Sequence, residues 1–192
     1  TNRSYSWKMM FSSKKKKMDD SASMGLIGEL YFLDNYMFPK YGKTDSLNSW
    51  SGQELTHKDF SLEDIWYEVK SIHSGKETVK ISSLEQLQSS NYGELVIIPM
   101  ERMSPAFNGV TLSKLANKIM KEFDSDEDLD KFISKMSEQG FSFDSETDEY
   151  VYQVVSIDRY AVNTDFPKII RIEMPPAIVQ AQYDISITSI LP

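Results

Sequence analysis

The sequence predicts a mixed α/β fold, in which a mixed central β-sheet is flanked by helices. Three observations support this class. An apolar helical pattern comes first, short β-like runs follow it, and the sequence ELVIIPM from Glu94 to Met100 is a short, mainly apolar run. Such a short apolar run is typical of a buried central strand. Further helices and strands are expected after residue 105.

The first helix is predicted from a cap at Ser21 or Ser23 to about Met37. Its apolar residues recur at helical spacing and form one buried stripe: Leu26, Ile27, Leu30, Leu33 and Met37. Gly25 and Gly28 each cost about 1 kcal/mol relative to alanine inside a helix. We therefore expect close packing, or the approach of a ligand, at these glycines.

Glu29 lies between these glycines and beside the apolar stripe. A lone buried carboxylate is expensive, so we expect Glu29 to have a metal or a lysine as its partner. The alternative is a structural acid that simply pairs with a lysine.

The segment DFSLEDIWYEVK carries two acids and a lysine in a pattern typical of a metal site. Because side chains alternate along a strand, Glu68 and Lys70 share one face, whereas Tyr67 and Val69 point to the opposite face. Eight residues separate Asp59 from Glu68, so Asp59 is far enough away to come from a neighbouring strand or its turn. Two acids and an amine at a sheet edge can hold a divalent metal and a water, which is the chemistry of phosphodiester hydrolysis.

The residue types suggest a separate role for each residue around Mg²⁺, an ion that prefers oxygen ligands and keeps several bound waters. We expect Asp59 and Glu68 to bind the ion with the help of the Val69 carbonyl. Glu29 is expected to add a ligand or to orient a metal-bound water. Lys70 is expected to hold the attacking water and to offset charge on the phosphate.

Gln86 is predicted on a helix that begins near Ser82, and is expected to orient Lys70 or the water. The alternative is that Gln86 is an ordinary glutamine on the helix surface. For Glu68 and Lys70 the plain alternative is an ion pair on a solvated strand, worth at most about 1 kcal/mol.

An acid, a short gap and then Glu-x-Lys resembles the motif of the PD-(D/E)XK nuclease superfamily, in which a metal-dependent site cuts DNA. Lys58 stands where the superfamily name has proline. Residues 22 to 190 are similar to a restriction-associated branch called DUF4420. The segments that carry this similarity are Gly25 to Leu30, Trp50-Ser51-Gly52, Gln86-Leu87, Phe166-Pro167-Lys168 and Pro176 to Ile185.

The resemblance implies a restriction-endonuclease-like core with the order α-β-β-β-α-β. It also implies a Mg²⁺-dependent DNA endonuclease, with Mn²⁺ as a substitute ion, that serves a restriction or phage-defence system. Two alternatives stay open: a non-catalytic DNA-binding or assembly subunit with the same fold, and an RNA-directed nuclease.

The net charge of −8 opposes binding to phosphates. We therefore expect a homodimer or partner subunits of a defence system to contribute to DNA recognition. No cysteine is present, which excludes disulfides and cysteine catalysis, and His57 and His73 make a poor zinc pattern. No apolar stretch reaches the length of a membrane span and no secretory signal opens the chain, so a cytoplasmic protein is predicted.

Three regions are expected along the chain. Residues 1–20 form a lead segment, which begins at Thr1 without an initiator methionine and is compatible with a longer parent protein. Residues 21–105 form the catalytic core, and residues 106–192 an extension packed on it. The extension is predicted to contain helices at Leu112–Phe123 and Leu129–Met136 and strands at Tyr150–Val155, Lys168–Ile172 and Tyr183–Ile190.

Overall fold

A computed structural model describes residues 18–51, 58–143 and 150–190. Its helices are α1 (Asp20–Phe32), α2 (Phe38–Tyr41), α3 (Lys43–Ser49), α4 (Leu112–Met120) and α5 (Asp126–Glu138). Its strands are β1 (Phe60–Ser61), β2 (Ile65–His73), β3 (Thr78–Ile81), β4 (Tyr92–Met103), β5 (Val151–Val154), β6 (Asp158–Ala161) and β7 (Tyr183–Ser186). A π-helical turn, Leu33–Met37, joins α1 to α2, and short 3₁₀ turns occur at Leu84–Gln86, Arg171–Glu173 and Ile187–Ser189.

The main sheet has the order β1-β2-β4-β5, and β6 pairs with β4 as well. Strands β2 and β4 are parallel over nine residue pairs, from Ile65↔Tyr92 to His73↔Met100. Strand β1 runs antiparallel to β2, while β6 and β5 pair antiparallel with the beginning and the end of β4. The result is a curled mixed sheet with flanking helices, consistent with a restriction-endonuclease-like fold.

Alternation along β2 and β4 divides the interior into two cores. The helical face holds Tyr67, Val69 and Val96 together with residues of α1, α4 and α5. The opposite face holds Trp66 and Leu95, and it is covered by the two-stranded ribbon of β3 and β7. Both faces of the central strand pair are therefore buried, as the apolar run in β4 predicts.

Helix α1 begins one turn earlier than the sequence pattern suggests. Asp19 is its N-cap, and the carboxylate accepts a hydrogen bond from the Ala22 N–H at 2.7 Å. The predicted caps, Ser21 and Ser23, lie inside the helix and were wrong, because Asp19 already satisfies the free N–H groups of the first turn.

The two glycines of α1 have different surroundings. A Cβ atom on Gly28 would lie 2.0 Å from the Ser71 Oγ of β2, whereas a Cβ atom on Gly25 would meet nothing within 4 Å. Gly28 therefore permits close contact between helix and sheet, and the packing explanation fails for Gly25. Within the described residues, Ser71 Oγ is the buried side-chain polar atom that lacks a hydrogen-bond partner.

The region after β2 departs from the predicted order of elements. Strand β3 does not join the main sheet and instead pairs with β7. The helix predicted from Ser82 is only the 3₁₀ turn Leu84–Gln86. Only Leu84 and Leu87 are buried in this segment, which is too little apolar surface to fix a longer helix against a core.

The C-terminal half also differs from the predicted boundaries. Helices α4 and α5 start after the capping residues Thr111 and Ser125. Strand β6 was not predicted, because its sequence DRYA lacks apolar alternation and it is held by pairing with β4. The strand predicted at Lys168–Ile172 was wrong: this segment pairs with no strand and ends in a 3₁₀ turn. The last predicted strand stops at Ser186.

Strands β5, β6 and β7 pair with β4 or β3, and helix α4 contacts α1. The division of the chain at residues 20 and 105 stays a prediction. In the described ranges 18–51, 58–143 and 150–190, no helix is both long and apolar enough to cross a membrane.

The close contact at Gly28 yields a prediction about stability. Gly28→Ala should lower the free energy of unfolding by about 1 to 2 kcal/mol, because its Cβ overlaps Ser71 Oγ. Gly25→Ala is the matched control and should raise it by about 0.5 to 1 kcal/mol through helix propensity alone. Urea unfolding measures both values. Adding Ser71→Ala should recover part of the Gly28→Ala loss, and equal effects of the two glycine variants would contradict the packing argument.

Candidate functional site

The pairing of β1 with β2 places Asp59 beside the acidic strand. The register Phe60↔Tyr67 brings Asp59, one residue before β1, opposite Glu68. Asp59 Oδ2 accepts a hydrogen bond from the Val69 N–H at 2.8 Å, and its carbonyl accepts one from the Ser51 N–H at 2.9 Å. The backbone thus fixes this carboxylate next to Glu68.

Lys70 lies between a carboxylate and an amide. Its Nζ is 3.1 Å from Glu68 Oε1 and donates a hydrogen bond to Gln86 Oε1 at 3.0 Å. The same amide oxygen accepts a hydrogen bond from the Ser82 N–H at 2.8 Å. The side chains of Lys70 and Glu68 are only 18% and 4% exposed, so this is not an ion pair on a solvated strand.

Glu29 has a partner that the sequence did not indicate. The Trp50 indole Nε1–H donates a hydrogen bond to Glu29 Oε2 at 2.8 Å. Trp50 is itself fully buried and stacks against Phe60 and Phe132, with ring centroids 6.4 Å and 6.2 Å away. The expected lysine partner is replaced by an indole, which no short-range pattern links to a residue 21 positions earlier in the chain.

Burial makes the three acids hard to ionise. It raises the pKa of Glu68 to about 8, and repulsion from Asp59 adds to the shift while the Lys70 ammonium opposes it. Burial and the Asp59 charge also raise the pKa of Glu29 well above its ordinary value, against the hydrogen bond from Trp50. The pKa of Asp59 rises by burial too, opposed by the Val69 N–H. Without added positive charge, a pKa of about 8 favours the protonated form of Glu68 at neutral pH.

Whether a metal ion suits this site depends on the chemistry of these donor groups. Among the residues that the structure describes, no group of three or more His, Cys, Asp or Glu side chains is arranged to hold a metal. The acids instead contact protein partners. Mg²⁺ nevertheless needs only one or two carboxylates, and a cation would relieve the repulsion among three buried acids. The oxygen donors of Asp59, Glu68 and the Val69 carbonyl therefore suit a hard divalent ion.

Other candidate residues fall outside this cluster. His73 is exposed at the end of β2, and His57 lies outside the described residues. Trp66 is buried in the second core, and its indole N–H donates to the Asn91 carbonyl at 3.1 Å. This is the packing role expected for tryptophan. Lys58 is buried as well, which its position in the sequence did not predict.

Two neighbouring clefts open on the side of the molecule where Lys58 lies, and neither is lined by Glu29, Asp59, Glu68, Lys70 or Gln86. The smaller cleft, about 320 Å³, is bordered by Lys58 and Trp66. It shares Gln88, Ser89 and Asn91 with a larger cleft of about 980 Å³, which extends to residues 162–173. The clefts are lined by a mixture of polar groups, such as Ser89 and Asn91, and apolar groups, such as Val162 and Phe166.

The curled mixed sheet, with an acid at β1 and Glu-x-Lys on β2, matches the class of PD-(D/E)XK folds. A family model described as "Putative PD-(D/E)XK family member (DUF4420)" matches residues 1–188, and the chain belongs to this family. Neither a search of curated proteins nor a search of solved structures finds a match.

The raised pKa of Glu68 predicts how stability depends on pH in metal-free buffer. In the folded protein the group stays protonated up to about 8, whereas an unfolded glutamate ionises near 4.5. Unfolding between these values releases a proton, so the free energy of unfolding should fall as the pH rises through this range. Glu68→Gln should remove much of this fall and be more stable than the wild type at pH 8, by about 2 to 4 kcal/mol.

Urea unfolding in EDTA at both ends of this pH range tests the prediction. Near pH 4.5 the variant and the wild type should have similar stability, because both side chains are then neutral. A difference that is the same at both pH values would contradict the assignment to Glu68 ionisation. Glu101→Gln on β4, an exposed glutamate, is the matched control and should change neither curve.

Proposed function

We propose that this protein is a metal-dependent DNA endonuclease that hydrolyses phosphodiester bonds as a component of a restriction or phage-defence system. The observation that carries the proposal is the partly buried Lys70 ammonium, held between Glu68 and Gln86 with Asp59 just before the adjoining strand. An ordinary surface ion pair has no need of burial or of a third, amide partner. Membership of the PD-(D/E)XK-like family supports the same interpretation.

In this proposal Asp59, Glu68 and the Val69 carbonyl hold Mg²⁺ or Mn²⁺, and Glu29 adds a ligand or orients a water. When bound, the ion supplies Lewis-acid stabilisation of the charge that develops on the phosphate. The hydrogen bond from Trp50 fixes one oxygen of Glu29 and so sets the direction of the other.

Lys70 positions the nucleophile and offsets negative charge. An ammonium has three N–H donors, and two of them are directed at Glu68 and Gln86. The third can donate to a water or to a phosphate oxygen without disturbing the other two. Gln86 is itself held by the Ser82 N–H, so the direction of that third donor is set by the fold.

The charge of the chain bears on how DNA is recognised. At −8, the protein as a whole repels a polyanion, and neutralisation of phosphates supplies much of the affinity of DNA-binding proteins. We propose that a homodimer or partner subunits of the defence system supply this positive surface.

One observation favours a second candidate function. Because the described residues hold no preformed metal cluster, a non-catalytic DNA-binding or assembly subunit with the same fold is the alternative. The position of Lys70 between Glu68 and Gln86 weighs against it, since such a subunit has no need for an ammonium held between a carboxylate and an amide.

The proposal predicts loss of DNA cleavage in two variants. Lys70→Ala and Glu68→Ala should each lower cleavage of plasmid DNA in Mg²⁺ or Mn²⁺ by about a hundredfold or more, because each removes charge stabilisation at the reacting phosphate. Lys80→Ala and Glu101→Ala, exposed residues of β3 and β4, are matched controls and should cut normally. Agarose gels with plasmid and linear DNA give the rates, and RNA of the same sequence tests the RNA-directed alternative.

Cutting that persists in both site variants would place the activity elsewhere and overturn the assignment. A silent wild type that binds DNA would favour the non-catalytic subunit.

Metal binding can be tested without catalysis. Titration calorimetry with Mn²⁺ should show binding to the wild type that strengthens as the pH rises towards 8, because the ion must displace the proton of Glu68. The heat should depend on the ionisation enthalpy of the buffer, which reports the proton release. Asp59→Asn and Glu68→Gln should abolish binding, whereas Glu101→Gln should leave it unchanged. Equal binding by all four proteins would contradict the proposed ligands.

A further inference from the structure

Lys58 is a buried cation whose contacts are all with its own chain. Only 9% of the residue is exposed. Its Nζ donates hydrogen bonds to the carbonyls of Glu85 and, at 2.9 Å, Gln88. It also lies 4.6 Å from the centroid of the Trp66 ring, on the same face of β2 as Glu68. Lysine is rarely buried to this extent, and the two carbonyls and the ring compensate its lost hydration.

The two carbonyls flank Gln86 on either side. The 3₁₀ turn Leu84–Gln86 is three residues long, and its internal hydrogen bonds are long, with Gln86 N to Ser83 O at 3.3 Å and Leu87 N to Leu84 O at 3.4 Å. So short a turn is not stable by itself. The hydrogen bonds from Lys58, two residues before β1, tie this segment to the start of β1 and so hold the turn against the sheet.

What this turn presents to the site is the amide of Gln86. Its Oε1 accepts hydrogen bonds from Lys70 Nζ at 3.0 Å and from Ser82 N–H at 2.8 Å. Movement of the turn would therefore displace the acceptor that holds the Lys70 ammonium beside Glu68. Lys58 and Lys70 are thus connected through the backbone of the turn and the Gln86 side-chain amide.

We propose that Lys58 is a positioning residue that fixes the Leu84–Gln86 turn and acts through Gln86 on Lys70. The proposal rests on the proposed function for its effect on cleavage. Its structural part, control of the Gln86 amide by Lys58, stands on the contacts alone. Proline, which the name PD-(D/E)XK places at this position, has no group that could donate these hydrogen bonds.

Kinetics of DNA cleavage test the connection by a double-mutant cycle. Lys58→Met keeps the length and the packing on Trp66 but loses the charge. Lys58→Met should lower kcat by about tenfold or more and change KM by less than about threefold. This pattern is expected when a residue that positions a reacting group is lost. Lys58→Arg, which can bond both carbonyls, should restore most of kcat. Gln86→Ala should lower kcat, and adding Lys58→Met to it should cause little further loss.

Lys43→Met is the matched control. Lys43 also donates from a partly buried Nζ to a backbone carbonyl, that of Glu122, but its contacts are on the helical side of the molecule. It should leave kcat within about twofold of the wild type. Thermal unfolding by circular dichroism shows that every variant is folded at the assay temperature.

A spectroscopic readout separates this proposal from the proposed function. In ¹⁵N–¹H NMR spectra, the Ser82 amide of Lys58→Met should move towards the position that it has in Gln86→Ala. Gln86→Ala removes the acceptor of the Ser82 N–H directly, and Lys58→Met should displace it by releasing the turn. Lys43→Met should leave it in place. If the wild type does not cut DNA but the Ser82 amide moves as stated, the proposed function fails and the positioning role holds.

Two results would overturn the positioning role. One is a Ser82 amide that is unchanged in Lys58→Met. The other is a double variant whose kcat falls by the product of the two single losses, which would show that Lys58 and Gln86 act independently. A folded Lys58→Arg that remains as impaired as Lys58→Met would also contradict the role given to the two carbonyl contacts.

Discussion

The parallel pairing of β2 with β4 is the constraint on which the rest of the structure depends. It extends over nine residue pairs and buries both faces of the two strands, one under helices and the other under the β3–β7 ribbon. Four of the site residues are positioned relative to β2. Glu68 and Lys70 are part of it, Asp59 bonds to its Val69 N–H, and Gln86 bonds to Lys70. A rigid strand with two buried faces can hold such side chains to a fixed geometry, which a solvated strand cannot.

The same burial makes the site costly for the fold. Three carboxyl groups lie close together with restricted access to water, and each has at least one compensating protein partner: Trp50 for Glu29, Val69 N–H for Asp59 and Lys70 for Glu68. These contacts reduce the desolvation cost without removing it, so the pKa values stay raised. A cation bound here would stabilise the ionised acids and the folded protein together, which joins the proposed function to stability.

The C-terminal helices support the site from a distance. Phe132 of α5 stacks on Trp50, and Lys135 of the same helix donates a hydrogen bond to the Trp50 carbonyl. The Thr44 hydroxyl of α3 donates a hydrogen bond to the Asp128 carboxylate of α5 at 2.7 Å, which links the two helices. The orientation of the Trp50 indole, and through it one oxygen of Glu29, thus depends on a helix more than 80 residues later in the chain. The α4–α5 pair therefore has a structural role beside the sheet.

The sequence by itself determined the features that follow from short-range periodicity. Alternation assigned Glu68 and Lys70 to one face and Tyr67 to the other, and an unbroken apolar run identified β4 as the central strand. Only the tertiary structure decided which groups meet across long separations: Trp50 with Glu29, Lys58 with the carbonyls flanking Gln86, β3 with β7, and β6 with β4. The physical reason is that local pattern specifies which face a side chain occupies, whereas its partner depends on how separate elements pack. For the same reason the short Leu84–Gln86 turn, with two buried leucines, was mistaken for a helix.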